Sequence, residues 1–123
     1  MHKIRLATSN DAPEIGRMIK ACQSPNPSPN SAQIFCAELN GNITGITAVH
    51  ATSANSAEVS CLFVEPEHRL QGIGRSLMDR ITEHVGPGRE LTLLARRDTP
   101  EAFRFFYPQK FQPSDYVTLR RTT

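Results

Sequence analysis

From Glu65 to Arg75 the chain reads Glu-Pro-Glu-His-Arg-Leu-Gln-Gly-Ile-Gly-Arg. Before it, Glu58-Val59-Ser60-Cys61-Leu62-Phe63-Val64 has the apolar and β-branched content of a strand, and Pro66 stops it. After it, Ile73, Leu77, Met78, Ile81 and Val85 recur at helical spacing until Gly86-Pro87-Gly88. The segment is therefore a strand, a loop holding Gly72 and Gly74, and a helix. A helix N-terminus leaves its first amides unpaired and carries partial positive charge. Glycines let that backbone come within hydrogen-bonding distance of an anion. Arg69 and Arg75 add positive charge. On physical grounds two readings stand open: a phosphate site, or a glycine-rich helix entry that holds no ligand.

Three phosphate-binding loops can be compared with these residues. A Walker A loop needs Lys and Ser or Thr directly after its last glycine, whereas Gly74 is followed by Arg75-Ser76. A Rossmann turn needs a third glycine at 77 and a first glycine tight after its strand; Leu77 holds that place, and Val64 is far from Gly72. Asp98 alone imitates its ribose-binding acid. The third reading fits best. Arg69-x-x-Gly72-x-Gly74, with Leu62-Phe63-Val64-Glu65-Pro66 before it and a helix after it, resembles the acyl-CoA signature of the GNAT superfamily of N-acetyltransferases.

The rest of the chain reads compatibly. Ile4 to Ala7 alternates like an edge strand. Thr8-Ser9-Asn10-Asp11 offers N-cap side chains, and Pro13 suits a first helical turn before Ile15, Met18 and Ile19. That helix ends near Ala21 or Cys22. The Pro-rich run Gln23 to Asn30 is a loop. Gln33–Leu39 and Ile43–Thr52 form a hairpin about Asn40-Gly41-Asn42, and a polar loop over Ser53–Ala57 leads to the strand that Glu58 starts. Leu91–Ala95 is a buried strand, Thr99 to Tyr107 a helix limited by Pro108, and Tyr116–Leu119 a final strand. The order is β-α-β-β-β-α-β-α-β over one domain, residues 1–123. It resembles the GNAT order, and the resemblance implies an α/β fold: a mixed, mostly antiparallel sheet with splayed fourth and fifth strands, flanked by helices.

Composition narrows the classes. Hydrophobic residues are 38% and charged residues 21%, with a net charge of +2, which suits a soluble globular domain. No run approaches the roughly 18 apolar residues of a membrane helix, and the N-terminus lacks a signal-peptide pattern. A cytoplasmic protein without membrane attachment is expected. Arg96-Arg97 and Arg120-Arg121 read as solvated strand ends, too sparse for a nucleic-acid groove. Cys22, Cys36 and Cys61 are too widely spaced for a disulfide framework, and with four isolated histidines they offer no zinc motif. Buried, reduced cysteines and no metal are expected.

The resemblance implies more. The loop backbone at Gln71, Gly72, Ile73, Gly74 and Arg75, with Arg69 beside it, would hold the pyrophosphate of acetyl-CoA. Backbone groups of Phe63 and Val64 would pair with its pantetheine arm. The family's second signature, Asn-x-x-Ala-x-x-x-Tyr then Gly-Phe, is matched by Ala102 and Phe111. Thr99, Phe106 and Lys110 replace its other members, and Tyr107 lies one residue beyond the tyrosine place. In the family that tyrosine protonates the leaving thiolate, so Tyr107 is the candidate acid, although one residue is about 100° of helix. Glu58 is the first candidate base, acting through water, and His50 the second. Each could equally be a structural strand residue. Direct transfer needs no covalent step at Cys61. The expected activity is acetyl transfer to a primary amine of a small molecule or peptide, with a homodimer as an option. The rival readings are a non-catalytic acyl-CoA-binding domain and an interaction module built on the Pro-rich loop.

Overall fold

The computed structural model describes residues 2–22, 32–94, 112–113 and 118–122. In chain order the elements are β1 (Lys3–Leu6), α1 (Ala12–Cys22), β2 (Gln33–Leu39), β3 (Asn42–Ser53), β4 (Ser56–Val64), α2 (Ile73–Val85), β5 (Glu90–Leu94), β6 (Gln112–Pro113) and β7 (Thr118–Thr122). Single 3-10 turns at Ser9–Asp11 and Pro66–His68 precede the two helices. The seven strands form one sheet in the order β1-β2-β3-β4-β5-β7-β6. Among the described residues, only β4 and β5 run parallel, joined by a crossover through α2. A mixed, mostly antiparallel sheet is what the sequence leads one to expect.

Local chemistry explains the ends of the elements. Asp11 accepts the Thr8 amide at 2.7 Å and its own amide donates to the Thr8 carbonyl at 3.0 Å, closing the turn that starts α1. Arg5 on β1 holds that turn with one hand, donating to Asp11 at 2.8 Å, and Glu38 on β2 with the other, at 2.9 Å. Helix α2 stops at Gly86, whose φ of 86° reverses the chain while its amide donates to the Thr82 carbonyl.

Three boundaries differ from the sequence reading. The polar stretch Ser53–Ala57 is mostly strand, and only Ala54 and Asn55 turn. Hydroxyls make this possible: Ser56 Oγ lies 2.6 Å from Thr52 Oγ1 and 2.7 Å from Ser53 Oγ, so the polar side chains fasten the hairpin end. Glu58 is consequently inside β4 rather than at its start. The last strand is described over Thr118–Thr122, with Leu119 opposite Leu93, so Arg120 and Arg121 sit within a ladder rather than beyond its end. A ladder is made by backbone groups, which accept a charged residue as readily as an apolar one. Finally, Gln112–Pro113 is a short strand that no sequence signal marked; it lies at the sheet edge, where a proline forfeits no ladder bond. The expected helix at 99–107 lies outside the described residues.

A β-bulge in β4 divides the core. Ala48 and Val49 are neighbours on β3, yet they oppose Cys61 and Val59, which leaves Ser60 as an extra residue. The insertion reverses which face the alternate side chains take. Before it, Ala57 and Val59 join Leu77, Met78, Ile81 and Leu91 in the core beneath α2; after it, Leu62 and Val64 pack against that same core. Cys61 and Phe63 instead join Ile15, Met18 and Ile46 beneath α1. Among the described residues, the sheet carries one helix and one apolar cluster on each face. Among the described residues no helix is long and apolar enough to cross a membrane.

Candidate active site

The end of β4 leads into the glycine loop, and buried contacts fix the angle. The Glu65 amide donates to the Thr44 carbonyl at 2.9 Å, extending the β3–β4 pairing one step past Val64. Gly45, opposite Val64, leaves no room for a side chain: a Cβ there would stand 3.0 Å from the Phe63 carbonyl oxygen and 3.3 Å from Ile73 Cγ2. That glycine lets the first turn of α2 press onto the sheet. Arg17 of α1 pairs with the Glu65 carboxylate, holding the loop from the other face.

The loop then bends twice through left-handed backbone. Leu70 has φ 65° and Gly72 φ 80° with ψ 9°. For leucine that conformation costs about 1–2 kcal/mol, and its side chain is fully exposed. Strain of this kind is kept where the surroundings or a ligand require it. Gly72 is the residue before α2, and the first intrahelical bond runs from the Ser76 amide to the Gly72 carbonyl at 3.0 Å. Helix geometry therefore leaves the amides of Ile73, Gly74 and Arg75 without an intrahelical acceptor. A Cβ on Gly72 would meet nothing within 4 Å, so the approach to these amides is open. Gln71 and Arg75 are exposed, Gly74 is half-buried, and only Ile73 buries its side chain. The arrangement is a positively polarised, uncrowded helix entry that suits an anion.

Arg69 takes a more specific place than its charge foretells. Its Nε donates to the Val64 carbonyl at 2.9 Å, and its guanidinium lies 5.7 Å from the centre of the Phe63 ring. The arginine is thereby tied to both residues expected to meet the pantetheine arm. A carbonyl oxygen has two lone pairs, so Val64 keeps one acceptor site. The β4–β5 ladder pairs Ser56–Val59 with Glu90–Leu93. Among the described residues, Leu62–Val64 pair only with β3. Among the described residues, the last parallel pair, Val59 with Leu93, stands just before the bulge at Ser60.

The two candidate bases meet at the other end of β4. His50 and Glu58 are cross-strand partners, with Nε2 and Oε2 3.7 Å apart, longer than a hydrogen bond. Both side chains are mostly buried, at 16% and 20% exposure, and His50 Nδ1 is buried with no hydrogen-bond partner among the described residues. Thr92 of β5 is Glu58's register partner on the opposite side. Glu58 and Val64 are six positions apart on β4, about 20 Å of strand. Tyr107, Phe106, Thr99, Ala102, Lys110 and Phe111 lie outside the described residues.

Residues 30–112 match the acetyltransferase (GNAT) domain family. The chain belongs to that family. No curated protein matches its sequence. Solved GNAT structures share its fold over nearly the full length. An acetyltransferase of the GNAT family from Staphylococcus aureus Mu50 superposes with a TM-score of 0.80 at 18% identity, covering 99% of each chain. A GNAT family acetyltransferase from Elizabethkingia anophelis, with acetyl-CoA bound, gives 0.85 at 14% identity over 99% of this chain and 98% of its own. The ribosomal-protein-S18-alanine N-acetyltransferase from Escherichia coli gives 0.77 at 15% identity over 98% and 91%. At these identities the likeness is one of fold. It agrees with the strand-loop-helix resemblance read from Leu62 to Leu77. Two contributors to this GNAT site were missed by sequence reasoning. Gly45 sits in a strand of unremarkable composition, and its role depends on a helix 28 residues later. Arg17 gave no signal beyond being a helix-surface cation.

Proposed function

We propose that the protein is an acetyl-CoA-dependent N-acetyltransferase that acts in the cytoplasm on a primary amine of a small molecule or peptide. The observation that carries this is one strand, β4, with an open glycine turn and bare helix amides at its far end and the Glu58–His50 pair near its start. The donor's pyrophosphate would rest on the amides of Gly72, Ile73, Gly74 and Arg75, with Gln71 and Arg69 at the rim. The backbone of Val64, on the side of β4 away from β3, would receive its arm as an added strand, with Phe63 beside it. The bound donor supplies an activated thioester.

The protein's own work is positioning and proton handling. An alkylamine has a reference pKa of about 10.4, so it arrives protonated and must lose that proton to attack. Glu58 takes the proton through water, with His50, its cross-strand neighbour 3.7 Å away, as the second candidate base. A backbone amide where β4 parts from β5 faces the charge that develops on the carbonyl oxygen. Tyr107 returns a proton to the leaving sulfur.

The test is incubation of the protein with acetyl-CoA and a panel of diamines, aminoglycosides, amino acids and peptide N-termini, followed by mass spectrometry. An acetylated amine that disappears with Glu58→Gln supports the assignment. Tight donor binding with no acetylated amine anywhere in the panel would instead favour a non-catalytic acyl-CoA-binding domain.

A further inference from the structure

Helix α1 ends at Cys22, and Cys61 follows the bulged Ser60 in β4. The two come together because α1 packs over β3 and β4 on the face to which the bulge turns Cys61. Both side chains belong to the apolar cluster beneath α1, and the Cys22 thiol donates to the carbonyl of Leu62, the residue after Cys61, at 3.5 Å. Cys61 is 3% exposed, whereas Cys22 is partly open to solvent. The proposed transfer reaction uses neither thiol.

We propose that Cys22 and Cys61 form a reversible disulfide when the protein meets a peroxide, making this pair a redox modification site. The inference is independent of the acetyltransferase reading. The Cys22 thiolate attacks one peroxide oxygen and the O–O bond breaks, giving Cys22 sulfenic acid and hydroxide. The Cys61 sulfur then attacks the Cys22 sulfur and loses its proton. The S–O bond breaks, and hydroxide leaves as water. Two thiols lose two electrons, and hydrogen peroxide becomes two waters.

The environment separates the two roles. The Cys61 thiol lowers the pKa of Cys22 against the opposing effect of burial, and Cys22 in turn raises that of Cys61. Cys22, the reachable member, is the one poised as thiolate, and Cys61 resolves it from inside. Cys36 provides an internal comparison. It is fully buried in the same cluster, and burial raises its pKa. It stands on β2, two strands from β4. That places it about 10 Å from Cys61, beyond the roughly 7 Å that a disulfide can bridge between Cα atoms.

The experiment treats the folded wild-type protein with hydrogen peroxide at neutral pH. Remaining thiols are then alkylated under denaturing conditions and the peptides mapped by mass spectrometry. The expected result is loss of two of the three thiols, one crosslink joining the Cys22 and Cys61 peptides, alkylated Cys36, and full reversal by dithiothreitol. In Cys61→Ser, dimedone should trap Cys22 as sulfenic acid. A crosslink through Cys36, an intermolecular dimer through Cys22, or wild-type Cys22 oxidised to sulfinic acid while Cys61 stays reduced would each overturn the proposal.

Discussion

His50 on β3 and Glu58 on β4 are register partners whose Nε2 and Oε2 stand 3.7 Å apart, mostly buried, with the Nδ1 of His50 left without a partner among the described residues. If Glu58 is the base, Glu58→Gln keeps the shape and removes the proton acceptor. The amine turnover should then fall by about 10²–10⁴-fold, while acetyl-CoA binds as in the wild type. His50→Gln should lower kcat less. Steady-state kinetics across pH checks both. Unchanged turnover in Glu58→Gln would return that residue to a structural role.

Gly45 gives a prediction about how the loop is seated. A methyl group at this position meets the Phe63 carbonyl oxygen at 3.0 Å, a backbone atom that cannot swing aside. Gly45→Ala should lower the unfolding free energy by about 1–3 kcal/mol, the usual range for overpacking, read by urea denaturation. It should also weaken donor binding, because α2 would be lifted off β3 and β4. A variant as stable as the wild type would mean that α2 accommodates the methyl group without moving.

Much of this architecture is legible in the residues, and for a physical reason. Signals that act over a few positions are readable: Gly86 ends α2, Asp11 opens the turn before α1, and Ile73, Leu77, Met78, Ile81 and Val85 all bury as their spacing demands. Relations between distant positions are not. The bulge at Ser60 is an offset of register between two strands, and nothing about a lone serine announces it. Arg69 could be assigned a charge from its sequence, but not its place on the Val64 carbonyl. The candidate bases were separately nameable, yet their contact depends on the β3–β4 register. Tyr107 rests on the resemblance alone, since it lies outside the described residues.

Asp11 links stability to acidity. The Arg5 guanidinium, then the Thr8 amide, hold its carboxyl well below the ordinary carboxylate range. Its folded pKa is depressed, so its stabilising effect is complete above the unfolded value of about 3.9 and fades as pH falls below it. Asp11→Asn should therefore melt at a lower temperature than the wild type at pH 7. The difference should narrow below about pH 4 as the wild-type carboxyl takes up its proton. Thermal melts followed by circular dichroism from pH 7 to pH 2 test this. A gap that stays constant to pH 2 would mean that ionisation of Asp11 plays no part.

Arg69 is exposed, so its share in binding is modest. It orders the edge at Phe63 and Val64 and adds charge beside the loop. Arg69→Ala should weaken acetyl-CoA binding several-fold, and the loss should shrink as salt is raised, because exposed charges are screened. Titrations at low and high salt check this. A loss independent of salt would assign Arg69 a purely structural part.

The central claim is that the Gly72 turn and the first amides of α2 hold acetyl-CoA. Its most direct measurement is calorimetric titration of the wild-type protein and of Gly72→Val with acetyl-CoA, beside free CoA and NADH. A side chain on Gly72 projects into the open approach and must take up a φ of 80°, which strains any residue but glycine by about 1–2 kcal/mol. The account predicts saturable binding of acetyl-CoA and CoA, no binding of NADH, and an affinity at least about tenfold weaker in a folded Gly72→Val. Equal affinity in the two proteins, or no acetyl-CoA binding by folded wild type, would contradict it.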